Sequence, residues 1–344
     1  MNVFLNTLYI TNPEAYLHLE GDTICVKIDH SKKLQVPIHH LGALVLFDHV
    51  MLSPALLARC ADDGRTIVWL DRSGRFKVRL EGPVNGNILL RQSQFRSADN
   101  PAQTLAIAGA ILAGKLRNSR QVLMRGARES SDDNDKQQLV QTCRLIAGQI
   151  KKLPLAESLD TLRGLEGDSA RLYFAALPLL MRGNAKANFP FTTRNRRPPR
   201  DRFNALISFL YALVLNDCRS ALESAGLDPQ LGYLHAVRPG RPALALDLLE
   251  EFRAPLADRL ALTLINRGQL QPNDFIEREG GAVLLDDAGR KTVITAYQER
   301  KQETLQHPLL ETATPIGLLP HLQARLLARY LRGDVETYLP YLHK

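Results

Sequence analysis

Apolar and polar positions follow two different rhythms along this chain. Over residues 1–95 the apolar side chains come in short runs broken by Gly, Asp and Pro, the pattern of brief, half-buried strands. Tyr16–Glu20 and Thr23–Ile28 flank Gly21-Asp22, a two-residue turn that suits a tight hairpin. Leu34–Ile38 and Ala43–Phe47 read as further strands, and Thr66–Leu70 and Phe76–Leu80 bracket Asp71-Arg72-Ser73-Gly74 as a second hairpin. Between them Ser53-Pro54 supplies an N-cap and a proline for the first helical position. One short helix is therefore expected to about Ala61, with Gly64 as its stop.

After Asn100-Pro101 the spacing changes to three and four residues, through 102–126, 137–153, 156–180, 202–225, 243–266 and 316–332, which predicts helices. Polar or Pro- and Gly-rich breaks fall at 129–136, 183–200 and 271–287. The fold class expected is α+β: a small β-rich domain at 1–95, a linker at 96–100 and a larger all-α domain at 101–344. Helices read at 293–305 and 316–332 carry no functional assignment, and no internal repeat is seen.

Composition narrows the class. A length of 344 residues suits about two domains, and 45% hydrophobic residues is ample for packed cores. The longest apolar stretches, Leu105–Leu112 and Leu206–Leu215, fall short of the roughly 20 residues a bilayer needs. No basic-then-apolar leader precedes Met1-Asn2-Val3-Phe4. Cys25, Cys60, Cys143 and Cys218 lie far apart with no CxxC pair, which argues for a reducing compartment and against a structural zinc site. A soluble, cytoplasmic protein is expected. The formal charge of +8 is unevenly placed: residues 1–95 hold 10 basic and 9 acidic side chains, residues 96–344 hold 34 and 27. A basic excess in the second part favours a polyanionic partner.

Several familiar motifs fail. Gly109 to Lys115 fits the start of a P-loop, but Leu116 stands where a magnesium-binding hydroxyl belongs, and the segment reads as helix. No GxSxG, HExxH or GxGxxG occurs. His39 and His40 lie in or beside a strand, where neighbours point to opposite faces, so they are not expected to share a metal.

Three segments of the helical part hold candidate chemistry. In Gly164-Leu165-Glu166-Gly167-Asp168-Ser169-Ala170, two glycines flank a carboxylate within a helical run, at a cost of about 1 kcal/mol each relative to alanine. That pattern suggests close approach of a backbone or ligand, or a helix start; the plain alternative is a break capped by Asp168 and Ser169. Gly232-Tyr233-Leu234-His235 leads into a loop stiffened by Arg238-Pro239-Gly240-Arg241-Pro242, with Pro242 placed to open a helix. In Leu244–Arg259, Leu244, Leu248, Phe252 and Leu256 form an apolar stripe. Asp247 and Glu250 lie about 60° apart on another face, with Cβ atoms roughly 5–6 Å apart. Two carboxylates at that spacing can serve one divalent cation, although a solvated acidic face is the ordinary alternative. Glu251 lies as close to Asp247 on its other side, so helical geometry does not choose between the glutamates.

Carboxylates with one histidine suit Mg²⁺ or Mn²⁺, and the imidazole tilts preference toward Mn²⁺. Such an ion can polarise a phosphate and help deprotonate an attacking hydroxyl. Lys186, Arg194, Arg196, Arg197, Arg200 and Arg202 crowd one stretch with a single acid, Asp201. With Phe189 and Phe191 ahead of the arginines, a mobile loop that clamps nucleic acid is expected, joined by Arg238 and Arg241 near the metal.

Taken in order, these segments resemble the CRISPR-associated integrase family, the catalytic subunit of the spacer-acquisition complex. Gly86-Asn87-Ile88-Leu89-Leu90-Arg91-Gln92 with Gln94-Phe95 is similar to its signature after the β domain. Gly164–Ala170, Phe203–Tyr211, Gly232–His235 and Asp247–Arg253 resemble later blocks, and the likeness spans about residues 4–270. The Arg-Pro-Gly-Arg spacer and the Asp-Leu-Leu-Glu-Glu-Phe-Arg wording look most like the type I-C branch. The resemblance implies Glu166, His235 and Glu250 as metal ligands, with Asp247 a further acidic position beside the metal. It also implies a homodimer through the β domains, a small non-catalytic partner subunit, and DNA as substrate. The reaction implied is 3′-hydroxyl attack of a captured fragment on a phosphodiester at the repeat border. A stand-alone nuclease and a non-catalytic nucleic-acid scaffold are the other readings.

Overall fold

The computed structural model describes residues 6–80, 82, 88–308 and 311–343; the Gly86-Asn87 start of the signature run and the Met1–Phe4 opening lie outside them. The chain forms two compact units. One contains residues 1–85, 286–304 and 315–318; the other contains 86–285, 305–314 and 319–344.

The first unit is built on two four-stranded sheets. Its strands are β1 (Thr7–Ile10), β2 (Tyr16–Glu20), β3 (Thr23–Ile28), β4 (Ser31–Pro37), β5 (Ala43–Phe47), β6 (Met51–Leu52), β7 (Thr66–Leu70) and β8 (Phe76–Leu80). Gly21, at φ +57°, closes the expected β2–β3 hairpin. One sheet runs β4-β3-β2-β6 and the other β1-β5-β7-β8. The second contains parallel pairs, β1 with β5 and β5 with β7, a feature that short-range hairpin signals cannot carry. Helix α1 (Pro54–Asp62) lies in the crossover between β5 and β7, and the Ser53 hydroxyl caps it by accepting from the Leu56 amide. Burial explains the near-continuous apolar run of β5: four of its five residues are inaccessible, as expected for a central parallel strand.

The second unit is mainly helical. It holds α2 (Ile88–Ala98), α3 (Pro101–Glu129), α4 (Asp133–Lys152), α5 (Leu159–Ala176), α6 (Ala185–Asn188), α7 (Arg202–Ser224), α8 (Ala243–Glu250) and α9 (Arg259–Asn266). A ribbon of β9 (Phe275–Arg278) and β10 (Ala282–Leu285) follows. The linker expected at 96–100 is instead the end of α2 and the Asn100 cap of α3. The Thr104 hydroxyl, donating to the Ser97 and Ala98 carbonyls at 3.2 Å, ties the two helices together. Helix α7 is long and apolar enough to cross a bilayer, but 61% of that window is buried within the fold, as for a core helix.

The C-terminal segment is shared. Helix α10 (Asp287–Gln302) belongs to the β-rich unit, where the Gln298 amide donates to the Thr7 carbonyl at 3.2 Å and Arg290 lies over Phe47. Helix α11 (Leu319–Arg332) belongs to the helical one. Residues 101–344 therefore do not form one contiguous all-α block.

Candidate active site

Glu166 sits mid-way along α5, which begins at a Ser158 cap and runs without a break through Gly164 and Gly167. Neither the Asp168–Ser169 cap nor a new helix start exists here. A Cβ at either glycine would meet nothing within 4 Å, so no backbone approaches them closely, contrary to the expectation from their pattern. One turn earlier Arg163 donates from Nε and Nη2 to the Leu234 carbonyl at 3.2 and 3.1 Å, which pins α5 to the segment bearing His235.

His235 is held by Asp247. The fully buried Asp247 carboxylate accepts the amides of Tyr233 at 2.6 Å, Leu234 at 3.0 Å and His235 at 2.9 Å, and lies 2.6 Å from the His235 Nδ1. Nδ1–H therefore donates to Asp247, and Nε2 is turned toward Glu250, whose Oε1 is 3.6 Å away. Gly232 makes this approach possible: a Cβ there would meet the Ala243 backbone carbonyl carbon at 2.6 Å and Asp247 Oδ2 at 2.8 Å. Gln94 shapes the same loop, donating to the Asp228 and Leu231 carbonyls at 2.9 and 3.1 Å. Asp247 thus has no oxygen free to join Glu250 on one cation, contrary to the expectation from helical spacing. Its oxygens instead hold the 233–235 backbone and the His235 ring.

Glu250 ends α8 and is 1% exposed, so the ordinary alternative of a solvated acidic face does not apply. Lys115 Nζ lies 2.9 Å from its Oε2 and 2.6 Å from Glu166 Oε1. The two carboxylates are thus no further apart than those two distances laid end to end. Arg253 Nη2 lies 3.0 Å from Glu250 Oε1. Burial pushes the Glu250 carboxyl up, but the Arg253 guanidinium and then the Lys115 ammonium outweigh it and hold it at about 2. Both of its oxygens, although charge-compensated, lack a well-directed hydrogen bond.

Glu251 faces the other way. It accepts from the Tyr338 hydroxyl at 2.5 Å, the Tyr341 amide at 2.7 Å and the Gln323 amide at 2.9 Å, all from the C-terminal part of the chain. Burial raises its carboxyl to about 7 against those bonds. Asn118, on α3, clamps the same tail by donating to the Glu251 and Tyr341 carbonyls at 2.8 and 2.9 Å and accepting the His343 amide at 2.8 Å. Gly114 admits that strap, since a Cβ there would meet Pro340 at 2.7 Å. The Gly114-Lys115 pair that mimics a P-loop is therefore a packing glycine followed by a site cation. Sequence reasoning misses Lys115 as a site residue, because no acidic side chain lies within a helical turn of it to mark it.

The arginine loop divides into two groups. Arg194 is turned inward: it donates to Asn204 Oδ1 at 2.7 Å and Ser208 Oγ at 2.9 Å, and its guanidinium lies 5.5 Å from the Tyr211 ring centroid. Arg202 Nη1 donates to the Asn188 carbonyl at 3.1 Å. Phe189 and Phe191 are 1% and 6% exposed and pack on Phe275 and Phe203, so they are core residues and not stacking platforms for bases. Arg194 thus drops out of the expected DNA-contacting set. Arg196, Arg197, Arg200 and Arg238 remain accessible. Arg241 has its pKa lowered by burial first, then by Arg238, Arg196 and Arg197, which places these four cations in one another's field.

Two carboxylates and an imidazole, gathered with compensating cations beside an arginine cluster, define a class: proteins built to hold a divalent cation against a phosphodiester. By its chemistry the donor set suits such an ion, with the Lys115 ammonium standing between the two carboxylates in this structure. Glu250 has buried oxygens without aligned hydrogen bonds, and Lys115 supplies a positive charge between the two acids. The family model for CRISPR associated protein Cas1 matches residues 8–299, and the chain belongs to that family. It is 53% identical over 344 residues, all of both chains, to CRISPR-associated endonuclease Cas1 1 of Moorella thermoacetica. Its fold is that of a casposase bound to integration product, with a TM-score of 0.83 at 19% identity, covering 97% of this chain and 92% of that one. A Cas6-RT-Cas1–Cas2 complex contains a chain of the same fold, with a TM-score of 0.81 at 23% identity, covering 98% of this chain and 36% of that one.

Proposed function

We propose that this chain is the metal-dependent DNA endonuclease and integrase of a CRISPR spacer-acquisition complex, acting by 3′-hydroxyl attack on a phosphodiester. The observation that carries the reading is Lys115 bridging Glu166 and Glu250 while Asp247 turns His235 Nε2 toward the same carboxylate. Glu166, His235 and Glu250 would hold one Mg²⁺ or Mn²⁺. Bound there, such an ion polarises the scissile phosphate and lowers the pKa of the attacking hydroxyl.

The chain's own groups do the rest. Asp247 fixes the imidazole tautomer so that Nε2 presents a lone pair. Arg253 and Lys115 keep Glu250 ionised at neutral pH. Arg196, Arg197, Arg200, Arg238 and Arg241 would bind backbone phosphates on either side of the reacting one, with Arg202 at the margin of that group. Transesterification joins the 3′-oxygen of the fragment to phosphorus and releases the target's own 3′-hydroxyl, so bonds formed and broken balance.

The remaining features rest on the family resemblance. A homodimer through the β-rich unit, a small partner such as the Cas2 of the neighbouring complex, a cytoplasmic setting and the type I-C branch all belong to this proposal. The test supplies a 3′-hydroxyl DNA fragment and supercoiled repeat DNA with Mn²⁺. Joined products support integration; nicked target without joining indicates a nuclease that uses water. DNA binding that persists with neither product, unchanged by Glu166→Ala, indicates a scaffold.

A further inference from the structure

The β2–β3 hairpin holds a second cluster of metal-ligating groups, within the β-rich unit and among residues given no role above. His18 and Cys25 are direct cross-strand partners, and Glu20 lies two residues beyond His18 on the same face of β2. One donor atom from each, an imidazole nitrogen, a thiol sulfur and a carboxylate oxygen, all lie within 4.8 Å of one another. It is the one such group found among the described residues.

Three details of the hairpin bear on what it could hold. His18 Nδ1 is buried and has no hydrogen-bond partner, while the ring stacks on Tyr16 at 5.7 Å and 8°, which limits its rotation. The fully buried Cys25 donates to Glu20 Oε2 at 2.7 Å. Lys32 Nζ reaches the same oxygen at 3.1 Å, and with side-chain exposure of 42% it is free to swing out and yield its place to another cation. An orphaned ring nitrogen, a thiol on a carboxylate and a displaceable ammonium are an arrangement that a metal ion would satisfy more completely.

We propose that His18, Glu20 and Cys25 form a binding site for a zinc-class cation. Sulfur, nitrogen and oxygen together select Zn²⁺ or its analogue Co²⁺ over Mg²⁺, which demands oxygen ligands. Tetrahedral bonds of about 2.0–2.3 Å set ligand atoms about 3.3–3.8 Å apart, within the present spread after small rotations. Binding releases the Cys25 thiol proton to solvent, and water completes the fourth position on the exposed Glu20 side. Counting cysteines in the sequence argues against zinc because only one cysteine is involved; strand pairing supplies the other two donors.

Metal-free full-length protein titrated with Co²⁺ tests this. The expected result is a thiolate-to-cobalt charge-transfer band saturating at one equivalent, lost in Cys25→Ser, at least tenfold weaker in affinity in His18→Ala, and retained in Glu250→Ala. Because His18 is partly exposed, its variant guards against loss of the band through misfolding, and far-UV circular dichroism is recorded for each. X-ray absorption at the zinc edge should give one sulfur and three nitrogen or oxygen neighbours. No band in the folded wild-type protein, or a band that survives Cys25→Ser, overturns the site.

Discussion

Glu250 and Glu251, neighbours in sequence and both buried, point their carboxylates into opposite environments. Glu250 lies among Lys115, Arg253 and His235 and is held at about 2, whereas Glu251 is enclosed by Tyr338, Gln323 and the Tyr341 amide and is raised by burial to about 7. One is ringed by cationic side chains; the other is a hydrogen-bond acceptor that locks the C-terminal strap to α8. Helical periodicity does not distinguish them, but their partners do.

Lys115 is expected to compete with the metal. Lys115→Ala should destabilise the metal-free protein, since it leaves two acids facing each other, with breakage of a buried pair costing about 3–5 kcal/mol. The same variant should bind Mn²⁺ more tightly and recover stability when the ion is added. Thermal denaturation with and without Mn²⁺ reads both effects, and equal destabilisation in the two conditions would contradict the competition.

Asp247 acts through His235. Asp247→Asn keeps the shape but exchanges one acceptor oxygen for a donor, against three amides and the Nδ1 proton. Removing such a partner typically lowers metal affinity or activity about 10–100-fold. Strand-transfer rates should fall by that order, with part of the deficit recovered at high Mn²⁺; a rate unaffected by the substitution would remove Asp247 from the mechanism.

The arginines should separate by assay. Replacing Arg196, Arg197, Arg238 or Arg241 singly with alanine should take away one phosphate partner and make the slope of log affinity against log salt shallower by about 0.9. Arg194→Ala should instead lower the melting temperature, because its partners are Asn204, Ser208 and the Tyr211 ring. A salt slope altered most by Arg194 would reverse this assignment.

Asp258 gives a pH signature. It accepts from the Tyr173 and Tyr211 hydroxyls at 2.8 and 2.7 Å, and burial, opposed by those bonds, raises its carboxyl from 3.8 to about 6. A raised carboxyl means the native state holds its proton longer than the unfolded one. Its contribution is fully present below about 3.8 and is lost as pH rises through about 6. The decline is on the order of 3 kcal/mol across that window. Asp258→Asn should make the decline between pH 4 and 7 shallower by that share, leaving the part that Glu251, raised to about 7, contributes with the same sign; denaturant midpoints read it, and an unchanged slope would place the titration elsewhere.

How much of this was legible depended on the range of each interaction. Turn and cap residues act locally, so Gly21-Asp22, Ser53-Pro54 and the bounds of β2, β3, β5, β7 and β8 could be read directly. The parallel pairing of β1 with β5, and the return of α10 to the β-rich unit, depend on residues far apart in the chain and left no local mark. In the site, the grouping of Glu166 and Glu250 about Lys115, with His235 beside Glu250, was suggested only by the family resemblance of the blocks and not by helical spacing. Lys115 was hidden because its acidic partners lie 51 and 135 positions away. Phe189 and Phe191 misled because an aromatic beside arginines looks the same in sequence whether it stacks on a base or fills a core.

The central claim is that Glu166, His235 and Glu250 close on one ion. Anomalous diffraction from a crystal soaked in Mn²⁺ tests it most directly. The expected result is a single manganese peak within bonding distance of all three donors, with the Lys115 ammonium withdrawn from between the two carboxylates. A peak that omits any of the three, or none at saturating Mn²⁺ with Lys115 still bridging, would contradict it.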